Sequence, residues 1–456
     1  MSEVKKIKPA LSKGTRDFLP SEVAKRNYIF DTIKSVFRKY GFEQIETPAI
    51  EKLETLTGKY GEEGDKLLFK ILNSGDYLNE VRSKKIEADS LTVQNVTPLI
   101  AEKGLRYDLT VPLARYVVQH QDDLAFPFKR FHIGPVWRAD RPQKGRYQEF
   151  YQCDADVIGS ISLFNEVELT KIYMDVYALL GINATIRVNN RKILEALTKY
   201  AGCPELLTEI TIVIDKFDKV GLDGVSNELD KLNLSPEQKG KITTLLQVKT
   251  TAELKQYFAD IEIGRKGLDE LNFVLAHANA TNVVFDVTLA RGLNYYTGTI
   301  WEVVCNDIRI GSIASGGRYD NLTEMFGGQG MSGVGISFGI ERIYDVMEEL
   351  KLFPATISQG VKVLFVPRDI SVEEFTFQQV QKLRGENIPA EIFLGNVKKQ
   401  KQFDYVAQKN IPYLVEIGDN EKNTGLFRLR DTQTRETRND LTLDDISDLI
   451  TGRLPQ

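Results

Sequence analysis

Apolar residues recur at Ile29, Ile33, Val36, Phe37 and Tyr40, a helical stripe that starts after Pro20, with Ser21 as candidate cap, and stops at Gly41. Residues 42–48 then read as a strand. Between 126 and 158, apolar and polar positions alternate on either side of a charged stretch at 138–146, which predicts two antiparallel strands joined by a long basic loop. A helix from about 163 to 180 follows. From about 190 to 281 the texture changes to lysine- and glutamate-rich helical segments, one opened by the capping box Ser235-Pro236-Glu237-Gln238. Alternation returns at Val283, Phe285, Val287 and Leu289, and Gly-rich strands run on to about Phe338 before a helix from Glu341. The middle segment therefore reads as inserted into a β-rich domain.

A third texture begins at Val361. The stretch Val361-Lys362-Val363-Leu364-Phe365-Val366 reads as a strand, a capped helix starts at Ser371 with Glu374 three residues on, and further strands fall at 390–394, 413–417 and 426–429. Strands alternating with helices predict a small α/β domain.

Composition narrows the chemistry more than the class. With 456 residues, 42% hydrophobic and 27% charged, the chain is that of an ordinary globular protein of several domains. The formal charge of −5 means that a polyanion must be met by a local basic patch. Cys153, Cys203 and Cys305 show no spacing for a disulfide framework, and no protein zinc site is expected. With only His120, His132 and His277, a histidine-based metal centre or triad has few candidates. The charged N-terminus and the lack of a spanning apolar run point to the cytoplasm.

Four segments carry candidate chemistry. In the stretch from Trp137 to Gln152, Arg138 and Arg146 could clamp phosphates, the loop between them could touch a nucleic-acid end and Phe150 could stack on a base; in isolation such a loop is more often a solvated turn. The run Phe338-Gly339-Ile340-Glu341-Arg342 follows a Gly-rich strand and puts Arg342 in the first turn of a helix, where phosphate is favoured; the plain alternative is an exposed helix arginine. Arg291-Gly292-Leu293-Asn294-Tyr295-Tyr296 and Gly316-Gly317-Arg318-Tyr319-Asp320 place tyrosines and an arginine at turns beside strands, as a polar ligand site or a packed aromatic hairpin. Asp108 and Asp156 could bind a cationic ligand, although as lone residues both are more often caps or surface charges.

Together, and in this order, these segments resemble the signature motifs of class II aminoacyl-tRNA synthetases, and those of the histidyl-tRNA synthetase family in particular. Residues 12–20 resemble the family's start, the first helix, strand and Pro48 resemble motif 1, residues 130–159 motif 2 and residues 333–343 motif 3. The resemblance runs from about residue 11 to the end. It implies an α+β catalytic domain, an antiparallel sheet flanked by helices (1–189 and 282–354), with a helical insertion (190–281) and a C-terminal α/β anticodon-binding domain (355–456).

The implied activity is that of a histidine–tRNA ligase: histidine and ATP, with Mg²⁺, give histidyl-adenylate and pyrophosphate, and the histidine passes to the 3′ end of tRNA(His). Arg138 and Arg342 are implied to hold ATP phosphates, Phe150 and Arg342 to sandwich the adenine, and Arg146 to reach the terminal phosphates. Asp108, Thr110 and Gln152 match positions that bind the ammonium and carboxylate of histidine; Asp156 and Tyr296 match those for the imidazole, in a pocket completed by Tyr295 and Tyr319. Arg291 matches the arginine at the α-phosphate, acting with Arg138 and Gln152. Arg141, Gln143 and Lys144 are expected at the tRNA acceptor end, and a homodimer is implied.

Two departures stand out. Asn294 replaces the family's usual aspartate, and Asp108 and Asp156 stand where most bacterial members carry glutamate, while residues 141–146 keep the bacterial pattern. The nearest alternatives are a catalytically inactive regulator of ATP phosphoribosyltransferase, which lacks the C-terminal module, and a sensor that binds uncharged tRNA without turning over ATP.

Overall fold

Helix Pro20–Lys39 forms where the stripe predicted it, and Ile29, Ile33, Val36 and Phe37 are each no more than 2% exposed. It begins at Pro20 itself, whose missing N–H costs nothing in a first turn, so Ser21 lies inside the helix rather than at its cap. The Glu22 carboxylate accepts the Leu19 N–H at 2.6 Å, and the left-handed Gly41, at φ +79°, turns the chain away. Phe37 then packs on Phe42, Phe131 and Phe338.

The computed structural model describes residues 8–58, 61–84, 91–143, 145–290, 296–321, 323–328, 330–354, 357, 360–395 and 399–452. They group into two compact units, one of the residues up to Asp17 with Ile29–Leu352, the other of Phe18–Tyr28 with Phe353 onward.

In the first unit, β1 (Glu43–Gln44) is followed by a small antiparallel sheet of β2 (Ile50–Lys52), β3 (Lys70–Ile71) and β4 (Lys103–Leu105). Then come the long hairpin β5 (Phe128–Trp137) and β6 (Glu149–Ile158), β7 (Ala184–Asn190), β8 (Val283–Phe285), β9 (Thr299–Cys305), β10 (Ser312–Tyr319) and β11 (Gly333–Gly339). With β1 they form one eight-stranded sheet in the order β1-β5-β6-β11-β10-β9-β7-β8. Its six central strands are antiparallel and only the edge pairs, β1 with β5 and β7 with β8, are parallel.

Register decides what the sheet presents. Asp154 lies between His132 on β5 and Ser337 on β11, and Asp156 between Arg130 and Gly335. Side chains alternate along a strand, so Gln152, Asp154 and Asp156 share one face while Cys153, Ala155 and Val157 fill the other. Helix Phe164–Leu180 covers that second face, with Tyr173 and Tyr177 against Phe338. From it, the fully buried Glu166 grips Arg318 of β10 through two contacts of 2.5 and 2.8 Å. Arg318 is thus a strand residue on the helix-covered face, not a turn residue beside a ligand.

Between β7 and β8 the chain makes the helices Arg191–Ala201, Leu207–Ile214, Phe217–Leu229, Pro236–Leu245, Thr251–Tyr257 and Glu262–Ala278. The capping box is formed as read: Gln238 N–H donates to Ser235 Oγ at 3.2 Å, and Ser235 N–H to Gln238 Oε1 at 2.9 Å. The alternation expected through Leu289 stops early, because β8 ends at Phe285. There the Asp286 carboxylate accepts both the N–H and the hydroxyl of Thr288, at 2.9 and 2.6 Å, and bends the chain out of the strand.

The second unit holds a five-stranded sheet, β12 (Val363–Pro367), β13 (Ala390–Ile392), β14 (Tyr413–Ile417), β15 (Phe427–Asp431) and β16 (Thr437–Leu441), in the order β13-β12-β14-β15-β16. The first three strands in that order are parallel. Val363 and Phe365 join one core cluster and Leu364 and Val366 another, which is why this strand reads as an unbroken apolar run. Ser371 is not the helix cap expected from sequence: Asp369 accepts the Ser371 N–H at 2.9 Å and caps a short 3₁₀ turn before helix Glu373–Gly385. Among the described residues, no helix is long and apolar enough to cross a membrane.

Candidate active site

The side-chain-bearing face of the large sheet opens into two adjoining cavities of about 460 and 430 Å³, with Arg138, Gln152, Ser337 and Arg342 in the wall of both. One end of this cleft is cationic and the other acidic.

The cationic end is built by the β5–β6 hairpin and by the helix Ile340–Glu349 that follows β11. Arg138 donates from Nε to the Tyr107 carbonyl at 3.0 Å, and its guanidinium lies 4.3 Å from the Tyr107 ring centre and 5.1 Å from that of Phe150. Arg342 donates to the Gly145 carbonyl at 3.1 Å and to the Ser312 carbonyl at 2.5 Å, which fixes its plane at the cavity wall. Gly145 has φ +70°, a conformation that favours glycine, and a Cβ there would sit 3.4 Å from Arg342 Cγ. Arg146 pairs with Asp140 at 3.0 Å and stays exposed. Gln143 and Arg146 exchange backbone hydrogen bonds of 3.0 and 2.9 Å, so the hairpin tip is a closed turn with Arg141 and Gln143 on its exposed side. Arg16, from the segment read as the family's start, pairs with Glu341 and lies 3.6 Å over the Tyr147 ring.

At the acidic end, Asp108 is 2% exposed and accepts the N–H groups of Thr110 and Val111 at 3.2 and 3.0 Å, capping helix Thr110–Gln119 while still facing the cavity. It is both a cap and a site carboxylate, so the two sequence readings are compatible. Gln152 donates to Ser337 Oγ at 2.7 Å and faces Arg138 at 3.5 Å, joining the two ends. Tyr296 lines the cavity with its ring flat on Gly317, where a Cβ would come within 2.6 Å.

Asp156 and Tyr319 lie one layer deeper, outside the cavity lining. Tyr319 donates its hydroxyl to Asp156 Oδ1 at 2.6 Å, and Arg130, fully buried, approaches the other oxygen at 2.6 Å. Gly335 makes room for this carboxylate and Gly333 for the Tyr319 ring, since Cβ atoms there would fall 1.8 and 2.2 Å away. Burial raises the pKa of Asp156, and Arg130 and the Tyr319 hydrogen bond oppose it. Burial also holds the Tyr319 phenol well above its usual range, so it stays a donor. His132 is pushed down to about 3 by burial and by the charges of Arg130 and Arg106, and is neutral.

Several cleft residues were not singled out from sequence. Asp154 and Ser337 line the acidic end, and Arg191, Thr211, Asp215 and Lys219 reach the cleft from the inserted helices. The signal for Asp154 is its place in the same-face series Gln152, Asp154, Asp156; nothing local marks which inserted helices turn toward the sheet. Lys144, Arg291, Asn294 and Tyr295 lie outside the described residues.

Comparison with known proteins adds a consistent set of likenesses. A family model described as histidyl-tRNA synthetase matches residues 14–83 and 78–343, and one described as anticodon binding domain matches 362–453. A histidine–tRNA ligase of Bacteroides fragilis (strain YCH46) is 50% identical over 438 residues, covering 94% of this chain and 96% of that one. The crystal structure of a histidyl-tRNA synthetase from Nostoc sp. PCC 7120 superposes with a TM-score of 0.82 at 29% identity, over 98% of this chain and 100% of that one. A Bacillus halodurans protein described as an ATP phosphoribosyltransferase regulatory subunit/histidyl-tRNA synthetase has a TM-score of 0.71 at 20% identity over 90% and 99%, a likeness of fold alone.

Proposed function

The chain belongs to the histidyl-tRNA synthetase family, and from that premise we propose how its residues divide the work of joining histidine to tRNA. It is an ATP-dependent aminoacyl-tRNA ligase with a C-terminal anticodon-binding domain. The observation that carries the residue assignment is the segregation of charge along one cleft: carboxylates of Asp108 and Asp154 at one end, guanidiniums of Arg138, Arg146 and Arg342 at the other.

In this reading the amino acid lies at the acidic end, its ammonium and carboxylate met by Asp108, Thr110 and Gln152, its imidazole directed toward Tyr295, Tyr296, Tyr319 and Asp156. ATP lies at the cationic end with its adenine between Phe150 and Arg342 and its phosphates along Arg138 and Arg146. Gln152, hydrogen-bonded near Arg138, stands where the two substrates meet. The carboxylate of histidine attacks the α-phosphorus, a P–O bond forms as the bond to pyrophosphate breaks, and Arg138 and Arg291 stabilise the charge on the transferring phosphoryl group. Mg²⁺ enters with ATP as part of the substrate. The terminal ribose hydroxyl of tRNA then attacks the adenylate carbonyl and releases AMP, with Arg141, Gln143 and Lys144 at the acceptor end. No protein nucleophile is needed.

The division into a core (1–189 and 282–354), an insertion (190–281) and an anticodon-reading part (355–456), a homodimer and a cytoplasmic location belong to the same proposal. Histidine-dependent exchange of pyrophosphate into ATP tests it. Robust exchange is expected; histidine binding without exchange would favour a regulatory subunit, and tRNA binding without ATP turnover a sensor.

A further inference from the structure

Asp154 is 2% exposed, lines the cavity and keeps one oxygen, Oδ1, for which there is no hydrogen-bond donor among the described residues. A buried carboxylate oxygen without a donor is costly unless a ligand supplies one. Asp156, two residues on, is differently placed. Its two oxygens face Tyr319 and Arg130, both at 2.6 Å, and it lies below the cavity lining.

Resting on the histidine-ligase reading, we propose that Asp154 is a specificity-determining residue, its Oδ1 accepting the ring N–H of histidine, while Asp156 supports the floor from beneath. Reach supports this. Along a strand, two residues span roughly 7 Å and four roughly 13 Å, so Asp154 stands about half as far as Asp156 from the position of Gln152. Histidine's ring hangs from Cα by a single methylene, and an amino acid whose backbone groups meet Gln152 and Asp108 brings its ring over Asp154 first. Tyr296, across the cavity with its ring on Gly317, bounds the same space. The rest of the pocket suits a donor: Asp108 and Asp156 add negative charge, and Arg130, buried beneath them, directs its Nη2 to Asp156 at 2.6 Å and to the Leu109 carbonyl at 3.3 Å.

The groups that face Asp154 set its ionisation. Arg130 and His132 stand on β5, Gln152 and Asp156 on its own strand, Ser337 on β11 and Asp108 ahead of helix Thr110–Gln119, while Tyr173, Tyr296 and Arg106 act through charge. Burial raises its pKa, and so do the charges of Asp156 and Asp108; Arg130 and the Ser337 hydroxyl lower it. Only the ionised carboxylate makes the charge-assisted bond, so histidine affinity gains an acid limb that belongs to this carboxyl.

The test is Asp154→Asn in the full-length protein, with KM for histidine and for ATP taken from pyrophosphate exchange across a pH series. Loss of one charge-assisted hydrogen bond raises the histidine KM by about 5- to 100-fold. The ATP KM should stay within about twofold, and the acid limb of kcat/KM for histidine should change shape. A histidine KM within about twofold of wild type, or an equal rise in both KM values, overturns the proposal. Should the Asn variant not fold, Asp154→Ser is judged by the same thresholds. A wild-type protein without histidine-dependent exchange would instead sink the ligase reading, so the two failures are distinguishable.

Discussion

The hydroxyl of Tyr319 donates to Asp156 at 2.6 Å, and that hydrogen bond, made beneath the cavity rather than in its wall, fixes the carboxylate whose other oxygen faces Arg130. Removing the donor strands a buried oxygen. Tyr319→Phe should therefore cost about 1–3 kcal/mol of unfolding free energy and raise the histidine KM several-fold with little change for ATP. Urea unfolding and exchange kinetics on one preparation check both; an unchanged unfolding midpoint would show that the bond contributes nothing net.

Gly335 is the tightest position on the pocket face, with a Cβ falling 1.8 Å from Asp156 Oδ1. Gly335→Ala must displace that carboxylate, and a shift of about 1 Å in a reacting site costs on the order of 100-fold. We expect histidine-dependent exchange to fall by about that factor. Gly240, in helix Pro236–Leu245 with nothing within 4 Å of its Cβ position, gives the opposite sign: Gly240→Ala should stabilise by about 0.5–1 kcal/mol and leave exchange alone.

His132 gives the protein an acid sensitivity of known sign. Its pKa falls from 6.5 to about 3 on folding, so the unfolded chain binds a proton that the native state refuses throughout that window. Stability from this group is complete above pH 6.5 and drains away as the pH falls, by up to about 1.4 kcal/mol per unit. Wild type should thus lose more stability than His132→Gln between pH 7 and 5 in parallel urea titrations. Equal losses would mean that His132 is protonated in the fold.

A chain ending at Pro354 should keep part of its pyrophosphate exchange and lose most aminoacylation, because the proposed adenylate groups all precede that point while the anticodon-binding match begins at 362. It should also melt lower, since the retained segment Phe18–Tyr28 belongs to the same compact unit as the residues removed. Full aminoacylation by the folded truncation would assign the C-terminal unit another task.

How much of this was legible depended on periodicity. The β5–β6 hairpin was readable because apolar and polar residues alternate along Gln152-Cys153-Asp154-Ala155-Asp156-Val157, and β12 because burial on both faces leaves an unbroken apolar run. The small sheet of β2, β3 and β4 was not, since strands of two or three residues carry no period. Nor was the turn at Asp286, where one carboxylate overrides an alternation that would otherwise continue. In the site, Arg138, Arg146, Phe150 and Arg342 were identifiable by motif and do share one cavity wall. Asp154 carries no motif signal of its own, although it shares one strand face with Gln152 and Asp156. Which of two aligned carboxylates meets the cavity is set by depth along the strand, and depth depends on glycines of neighbouring strands that are remote in sequence.

The grip of Glu166 on Arg318 behind β10 has a consequence in time rather than in space. Gly317 backs the Tyr296 ring and Tyr319 bonds Asp156 beneath the cavity, while Arg318, between them, is tied to a helix on the far side by a buried ion pair. Backbone amides in this strand should therefore exchange with deuterated solvent only when the whole unit opens, placing them among the slowest in the chain. Any motion that admits substrates must then come from the loops and inserted helices that rim the cleft, and the sheet itself serves as the fixed jaw against which they close.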